Sequence, residues 1–265
     1  MRKSDITGSI WIEEELFEVM RENVFAVRQS ALSARYLTCE RYYIFELLIC
    51  AGGMLGAYTY NLRGGVFCNA QTANIMLMSL AFGRGEWAGG LYYVIPITAY
   101  LLGIIVSEIL PKPVRKLHFL RWDTWLLAFE ALIVFLLGWI PLNAPPQGVQ
   151  VTINFLAAMQ FNTFRQAEGV PMATTFVTNH IRQIGVWLVK HRKHHEPEAL
   201  KRFWRHTLMV TVFFAGGVMM TVCCGVLREK AVWLTLLPLL VSFGILSSAD
   251  LKQERNRLED KPGGH

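Results

Sequence analysis

The chain holds 265 residues, 53% of them hydrophobic, 12% aromatic and 17% charged, where a soluble domain carries roughly 25% charged residues. That balance excludes an ordinary soluble enzyme and predicts an all-α integral membrane protein. The formal net charge of +6 lies in short Lys and Arg runs flanking apolar segments, so the expected partner is an anionic lipid bilayer, with no nucleic acid.

Residues 1–42 read as a cytoplasmic N-terminal segment. No signal peptide is expected, because a charged, periodic stretch stands where a short apolar core and a small-residue cleavage site would be. Ile10, Trp11, Leu16, Phe17, Val19 and Met20 alternate with Glu13, Glu14, Glu15 and Glu18, the pattern of an amphipathic helix. Its acidic face disfavours an anionic leaflet, so packing on the protein or on a partner is the better expectation.

Residues 43–248 read as the membrane domain. A bilayer core of about 30 Å takes ~20 helical residues. Six segments suit it: Tyr43 to Tyr60, Ala88 to Leu110, Trp125 to Ile140, Val149 to Phe164, Thr207 to Leu227 and Ala231 to Ser247. Two apolar pieces fall short. The stretch from Ala70 to Phe82 would reach only ~20 Å as a helix, and Pro171 to Val189 contains Thr174, Thr175, Thr178, Asn179, His180, Arg182 and Gln183, all costly against lipid. Eight full crossings would place Lys112, Arg115, Lys116 and Arg121 outside, against the positive-inside bias. Six spanning helices plus two short broken or re-entrant helices keep that loop, the N-terminus and the charged tail 249–265 in the cytoplasm. The Pro-rich loop at Pro141, Pro145 and Pro146 is then outside.

An internal repeat supports this organisation. Gly64-Gly65-Val66-Phe67 and Gln71-Thr72-Ala73-Asn74 are answered about 105 residues later by Gly169-Val170-Pro171 and Val177-Thr178-Asn179-His180. Repeat one covers 43–141 and repeat two 149–248. Three full spans and one partial helix per half make an odd number of crossings, so the halves are expected to be two inverted structural repeats. In such folds the broken ends meet near the bilayer midplane and line a solute site.

Glycines 64, 65 and 169 should let the chain turn at the breaks, and Pro171 suits the first turn of the helix that follows. Helix N-termini at Cys68 to Gln71 and Met172 to Thr175 would then present free N–H groups to an anionic or strongly hydrogen-bonding solute. The expected binding side chains are Gln71, Thr72, Asn74, Thr174, Thr175, Thr178 and Asn179, faced by Tyr58, Tyr60, Gln160 and Asn162 from the preceding helices. Packing alone could also explain such residues, since Thr and Asn bond to neighbouring helices and Gly52-x-x-x-Gly56 suits close helix approach.

Among ionisable groups, Glu130 lies deepest in its span and is the first candidate for proton or cation coupling, followed by His180 and Arg182. Glu46 and Glu108 sit near cytoplasmic ends, within reach of Arg41, Lys112 or Arg115. The run His191, His194 and His195 has the composition of a solvated loop, and the five cysteines form no C-x-x-C pair, so neither metal nor cofactor is expected. No H-E-x-x-H, P-loop or G-x-S-x-G signature supports an enzyme.

The Gly53 to Gly65 stretch ending in Gly-Gly-Val-Phe, Thr72-Ala73-Asn74, and Gly169-Val170-Pro171-Met172-Ala173-Thr174-Thr175-Phe176-Val177-Thr178 resemble motifs of the YoaK family of bacterial membrane proteins. This is the UPF0700 group, or domain of unknown function 1275. The resemblance spans about Tyr43 to Ser247 and implies a six-span protein of the bacterial inner membrane, of transport type and without a known substrate. The chain departs from the family pattern at Gly56, commonly Asp, and at Ala73 and Asn179, commonly Gly. The loss of an acid at position 56 weakens any cation coupling through that helix. The function expected is a secondary transporter of a small polar or anionic solute. A channel with the same site and a non-transport membrane assembly or structural protein are the alternatives, and a homo-oligomer is possible.

Overall fold

The computed structural model describes residues 35–264. The chain divides into two units, Met1–Thr38 and Cys39–His265. Almost all of the first unit, with the expected Ile10 to Met20 helix, lies outside the described residues.

The second unit is built on α1 (Tyr42–Leu62). This helix is apolar on nearly every face, and Ile44, Leu48, Ile49, Ala51 and Tyr58 are fully buried, as expected of a helix surrounded by others. It stops at Arg63 because Gly64 and Gly65 take φ of +82° and +71°, a conformation open to glycine at little cost. Irregular chain leads to α2 (Gln71–Gly83), a helix of ~20 Å. Then come α3 (Trp87–Tyr92), α4 (Val94–Ile109), the short α5 (Pro111–Arg115) and α6 (Trp122–Leu137).

The second half opens with α7 (Pro146–Thr163). A second break follows, pinned by a small antiparallel hairpin of β1 (Gln166–Ala167) and β2 (Val170–Pro171), in which Gln166 faces Pro171 and Ala167 faces Val170. Glu168 and Gly169, with φ of 47° and 78°, make its turn. Next are α8 (Thr178–His194), α9 (Pro197–Leu227), a 3-10 segment (Arg228–Thr235) and α10 (Leu236–Ser248).

Three stretches among the described residues combine the length and apolarity of a bilayer crossing: Tyr42–Leu62, Trp87–Arg115 and Pro197–Gln253. The chain is thus helical and membrane-like in make-up. Two expected boundaries change. Pro171 belongs to β2, and α8 begins only at Thr178, because the hairpin holds this backbone extended. The helix that holds the segment expected from Thr207 starts at Pro197, whose missing N–H is harmless in a first turn.

Packing is pairwise: α9 lies along α1, α7 along α4, α8 along α9, and α6 against α10. The tail is fastened by Arg121. Its backbone N–H donates to Asp250 Oδ2 at 3.0 Å, and Thr124 donates to the same oxygen at 2.6 Å. The guanidinium reaches Asp123 at 3.1 Å, Asp250 at 3.3 Å and Glu254 at 3.0 Å, all buried. Burial pulls the Arg121 pKa down, but Asp123, Cys39, Asp250 and Glu254 outweigh it, and the net direction is upward. Burial first, and then Asp123, push the nearby Cys39 thiol well above its ordinary range.

Candidate functional site: two chain breaks seated on one helix

The first break is fixed by a buried cation. Arg63 is fully enclosed. Its Nε and Nη2 donate to the Tyr58 hydroxyl at 3.1 and 2.9 Å, Nη1 to the Pro141 carbonyl at 3.1 Å, and Nη2 to the Ile140 carbonyl at 2.6 Å. Tyr58 passes its own proton to the Glu229 carbonyl at 3.2 Å. Gln150 of α7 donates to the Arg63 carbonyl and accepts from the Tyr92 hydroxyl at 2.7 Å. Every fork of the guanidinium is thus satisfied by uncharged oxygens, which is what a buried Arg needs where no acid is in contact.

Past this corner the chain turns inward to α2. Gln71 Nε2 donates to Asn154 Oδ1 of α7 at 2.8 Å and to the Cys68 carbonyl at 3.3 Å. Asn74 Nδ2 donates to the Phe67 carbonyl at 2.8 Å and to Gln71 Oε1 at 3.2 Å. Asn74 Oδ1 is left buried without a hydrogen-bond partner.

The second break starts at the opposite end of α1. The Glu168 N–H donates to the Glu40 carbonyl at 2.8 Å, and its carboxylate lies 3.6 Å from both Arg41 and Arg205. From there residues 172–177 run to α8 without regular structure. Thr174 and Thr175 are buried; the Thr174 hydroxyl has no partner, while that of Thr175 faces the Tyr100 hydroxyl of α4. The Ala173 carbonyl lies 3.0 Å from His180 Nε2, and His180 Nδ1 lies 3.0 Å from Nδ1 of His206 on α9. Both imidazoles are fully buried.

The two breaks converge on one turn of α1. Asn69 Nδ2 donates to the Gly52 carbonyl at 3.0 Å. A Cβ placed on Gly52 would stand 2.7 Å from the Thr174 carbonyl oxygen and 3.2 Å from Thr175 Cα. Glycine is therefore required for the second break to reach the helix that the first break also caps. Beside this junction a groove of about 670 Å³ opens between α1 and α9, lined by Gly53, Gly56, Asn69, Val177, Phe213 and Thr221 among others. Its walls are mostly apolar, with Tyr60, Asn61, Asn69 and Thr221 as polar points.

Gln71, Asn74, Thr174 and Thr175 come from the expected set and stand at the two breaks. The other members are exposed or engaged elsewhere. Tyr58 is spent on Arg63, and Tyr60 is exposed and stacked on Phe67. Gln160 donates to the Leu48 carbonyl at 3.3 Å, a helix-to-helix tie. Asn162 donates to Ser107 and Glu108 of α4 at 2.8 and 3.0 Å. Thr72 and Thr178 are exposed, and Asn179 accepts from the exposed Arg182 at 2.9 Å. The Met172 to Thr175 N–H groups are not a helix N-terminus, since α8 starts later, and Cys68 to Ala70 precede α2. Glu130 is buried with Oε2 unpartnered, but on α6, which packs on α10 and α7. Glu108 pairs with Arg165, not with Lys112 or Arg115. The residues that spacing did not single out are Arg63, Asn69, Gln150, Asn154 and His206.

These features define a class: a helical protein of membrane-grade apolarity, in which two interrupted segments are seated on one enclosed helix. The chain belongs to the family described as protein of unknown function DUF1275, whose profile matches residues 44–245. No curated protein and no solved structure matches it.

Proposed function

We propose that the protein is a secondary transporter of a small polar or anionic solute, with six spans and two re-entrant segments built as inverted halves. The observation that carries the reading is the meeting of both breaks at Gly52, where the buried Thr174 hydroxyl stands without a partner. Broken segments of two halves converging on one locus are the usual frame of such a carrier.

Three further features support it. A Cβ on Gly64, before α2, would lie 3.1 Å from the Tyr92 hydroxyl and 3.5 Å from Pro146, so the chain enters and leaves α2 at one end of the molecule. The second break likewise starts beside Arg41 and Arg205, at the other end. Helix packing also keeps its form when the halves are exchanged: α1 lies on α9 as α7 lies on α4. In both contacts a glycine abuts a carbonyl, Gly216 that of Cys50 and Gly103 that of Phe155. Cys50 and Phe155 are separated by the same interval of about 105 residues as Gly64 and Gly169.

In this reading, α1 starts in the cytoplasm and Pro141 faces outside. The uncharged hydroxyls and amides suit reversible binding, because a solute held by neutral hydrogen bonds can also leave. The test is a thermal-shift screen of purified protein against a solute library, since a ligand that binds only the folded state raises the unfolding temperature with its concentration. The expected hit is weakened by Asn74→Ala and by Thr174→Val. A hit that is indifferent to both moves the site elsewhere.

A further inference from the structure

The hydrogen bonds around His180 and His206 determine which nitrogen of each ring carries a proton. The Ala173 carbonyl can only accept, so His180 Nε2, 3.0 Å away, must bear hydrogen. A neutral His180 then has a bare Nδ1. His206 Nδ1, 3.0 Å from it, must therefore be the donor, which leaves His206 Nε2 bare. That atom is buried and has no hydrogen-bond partner. An enclosed, unsatisfied lone pair at the end of an ordered chain of hydrogen bonds is a place for a proton to land.

We infer that His180 and His206 form a one-proton relay that ends on the second chain break and couples proton passage to its position. The inference rests on the transporter reading and names the proton as the coupling ion. A proton from water adds to His206 Nε2, and the Nδ1 proton of His206 crosses to His180 Nδ1. His180 then releases its Nε2 proton to a second water. One proton has entered and one has left, with no change in net charge. Both rings have switched tautomer, so that His180 Nε2 now turns a lone pair toward the Ala173 oxygen. Attraction becomes repulsion, and the strand that carries Thr174 and Thr175 loses its hold. Loading a second proton before release would set two N–H groups head to head, so the pair carries one proton at a time.

The surrounding charges leave this role to the rings. Arg202 approaches His206 from the preceding turn of α9. Arg205 is engaged by Glu168 at 3.6 Å and lies over the Tyr42 ring. Glu46 of α1 faces Arg205, and Arg182 of α8 is turned to Asn179. Among the described residues, no carboxylate forms an ion pair with either histidine.

The test uses the full chain with nitrogen-15 histidine in lipid nanodiscs. The resting spectrum should show coupling across the Nδ1 to Nδ1 hydrogen bond, with His206 Nε2 unprotonated. On acidification both rings should shift at a single midpoint with uptake of one proton. In His206→Gln the coupling should vanish and His180 should respond alone. In parallel, hydrogen exchange at 172–177, corrected for intrinsic rates, should be faster in the parent chain than in His206→Gln, which holds His180 in its resting tautomer. A resting proton on His206 Nε2, separate midpoints, unresponsive rings, or exchange at 172–177 no faster in the parent than in the variant would overturn the relay. If the variant does not fold, the parent spectra decide alone. A failed relay leaves the solute screen untouched, and a solute screen without hits leaves the ring titration to stand by itself.

Discussion

At Thr174, loss of the side-chain oxygen should separate binding from stability. Its hydroxyl is buried with no partner, so Thr174→Val removes an unsatisfied group and should leave folding unchanged or improve it by up to ~1 kcal/mol. The same change should diminish the thermal shift given by the solute, whereas a purely packing role predicts no such split. Arg121 behaves in the opposite way. Arg121→Gln removes the buried positive charge that Asp123, Asp250 and Glu254 share and should cost about 3–5 kcal/mol in denaturant unfolding. The sequence marks Thr174, Thr175, Gln71 and Asn74 because hydroxyls and amides stand out in apolar runs. It conceals Gln150, Asn154 and His206. Gln150 and Asn154 look like the wet start of a span, His206 looks like the end of a basic loop, and the partners that give them meaning are Arg63, Gln71 and His180, far away along the chain.

Among the elements, glycine contacts set how closely helices can approach. A Cβ on Gly216 would meet the Cys50 carbonyl oxygen at 2.6 Å, and one on Gly103 would collide with that of Phe155. Gly216→Ala and Gly103→Ala should each lower stability by about 1–3 kcal/mol through forced separation. Gly225→Ala on α9 has nothing within 4 Å of the added carbon and should be neutral or mildly stabilising. Thermal unfolding of the three variants checks the contrast. Helix positions are readable in advance because long apolar runs and breaking glycines are local signals. The hairpin at Gln166–Ala167 and Val170–Pro171 is not, because it depends on Glu168 meeting Glu40, Arg41 and Arg205. Spacing alone therefore starts α8 too early.

For the whole molecule, the decisive question is the side on which α2 ends. Glu86 and Asn143 are both exposed, and the proposed topology puts them on the same outer face. Glu86→Cys and Asn143→Cys should each react with an impermeant maleimide added to intact cells. Reaction of Glu86→Cys only after the membrane is opened would mean that α2 crosses completely, and the inverted arrangement would be lost.

Arg63 also bears on how such a molecule could move. Its donors end on Tyr58 of the first half and on the Ile140 and Pro141 carbonyls that close that half, while its own carbonyl is held by Gln150 of the second. Parting the halves at this corner would strip the buried Arg63 carbonyl of Gln150 and the Tyr58 hydroxyl of the Glu229 carbonyl. In the proposed carrier this corner would act as a fulcrum, and the far end, where Glu168 is shared between Arg41 and Arg205 by longer and more yielding contacts, would be the jaw that opens.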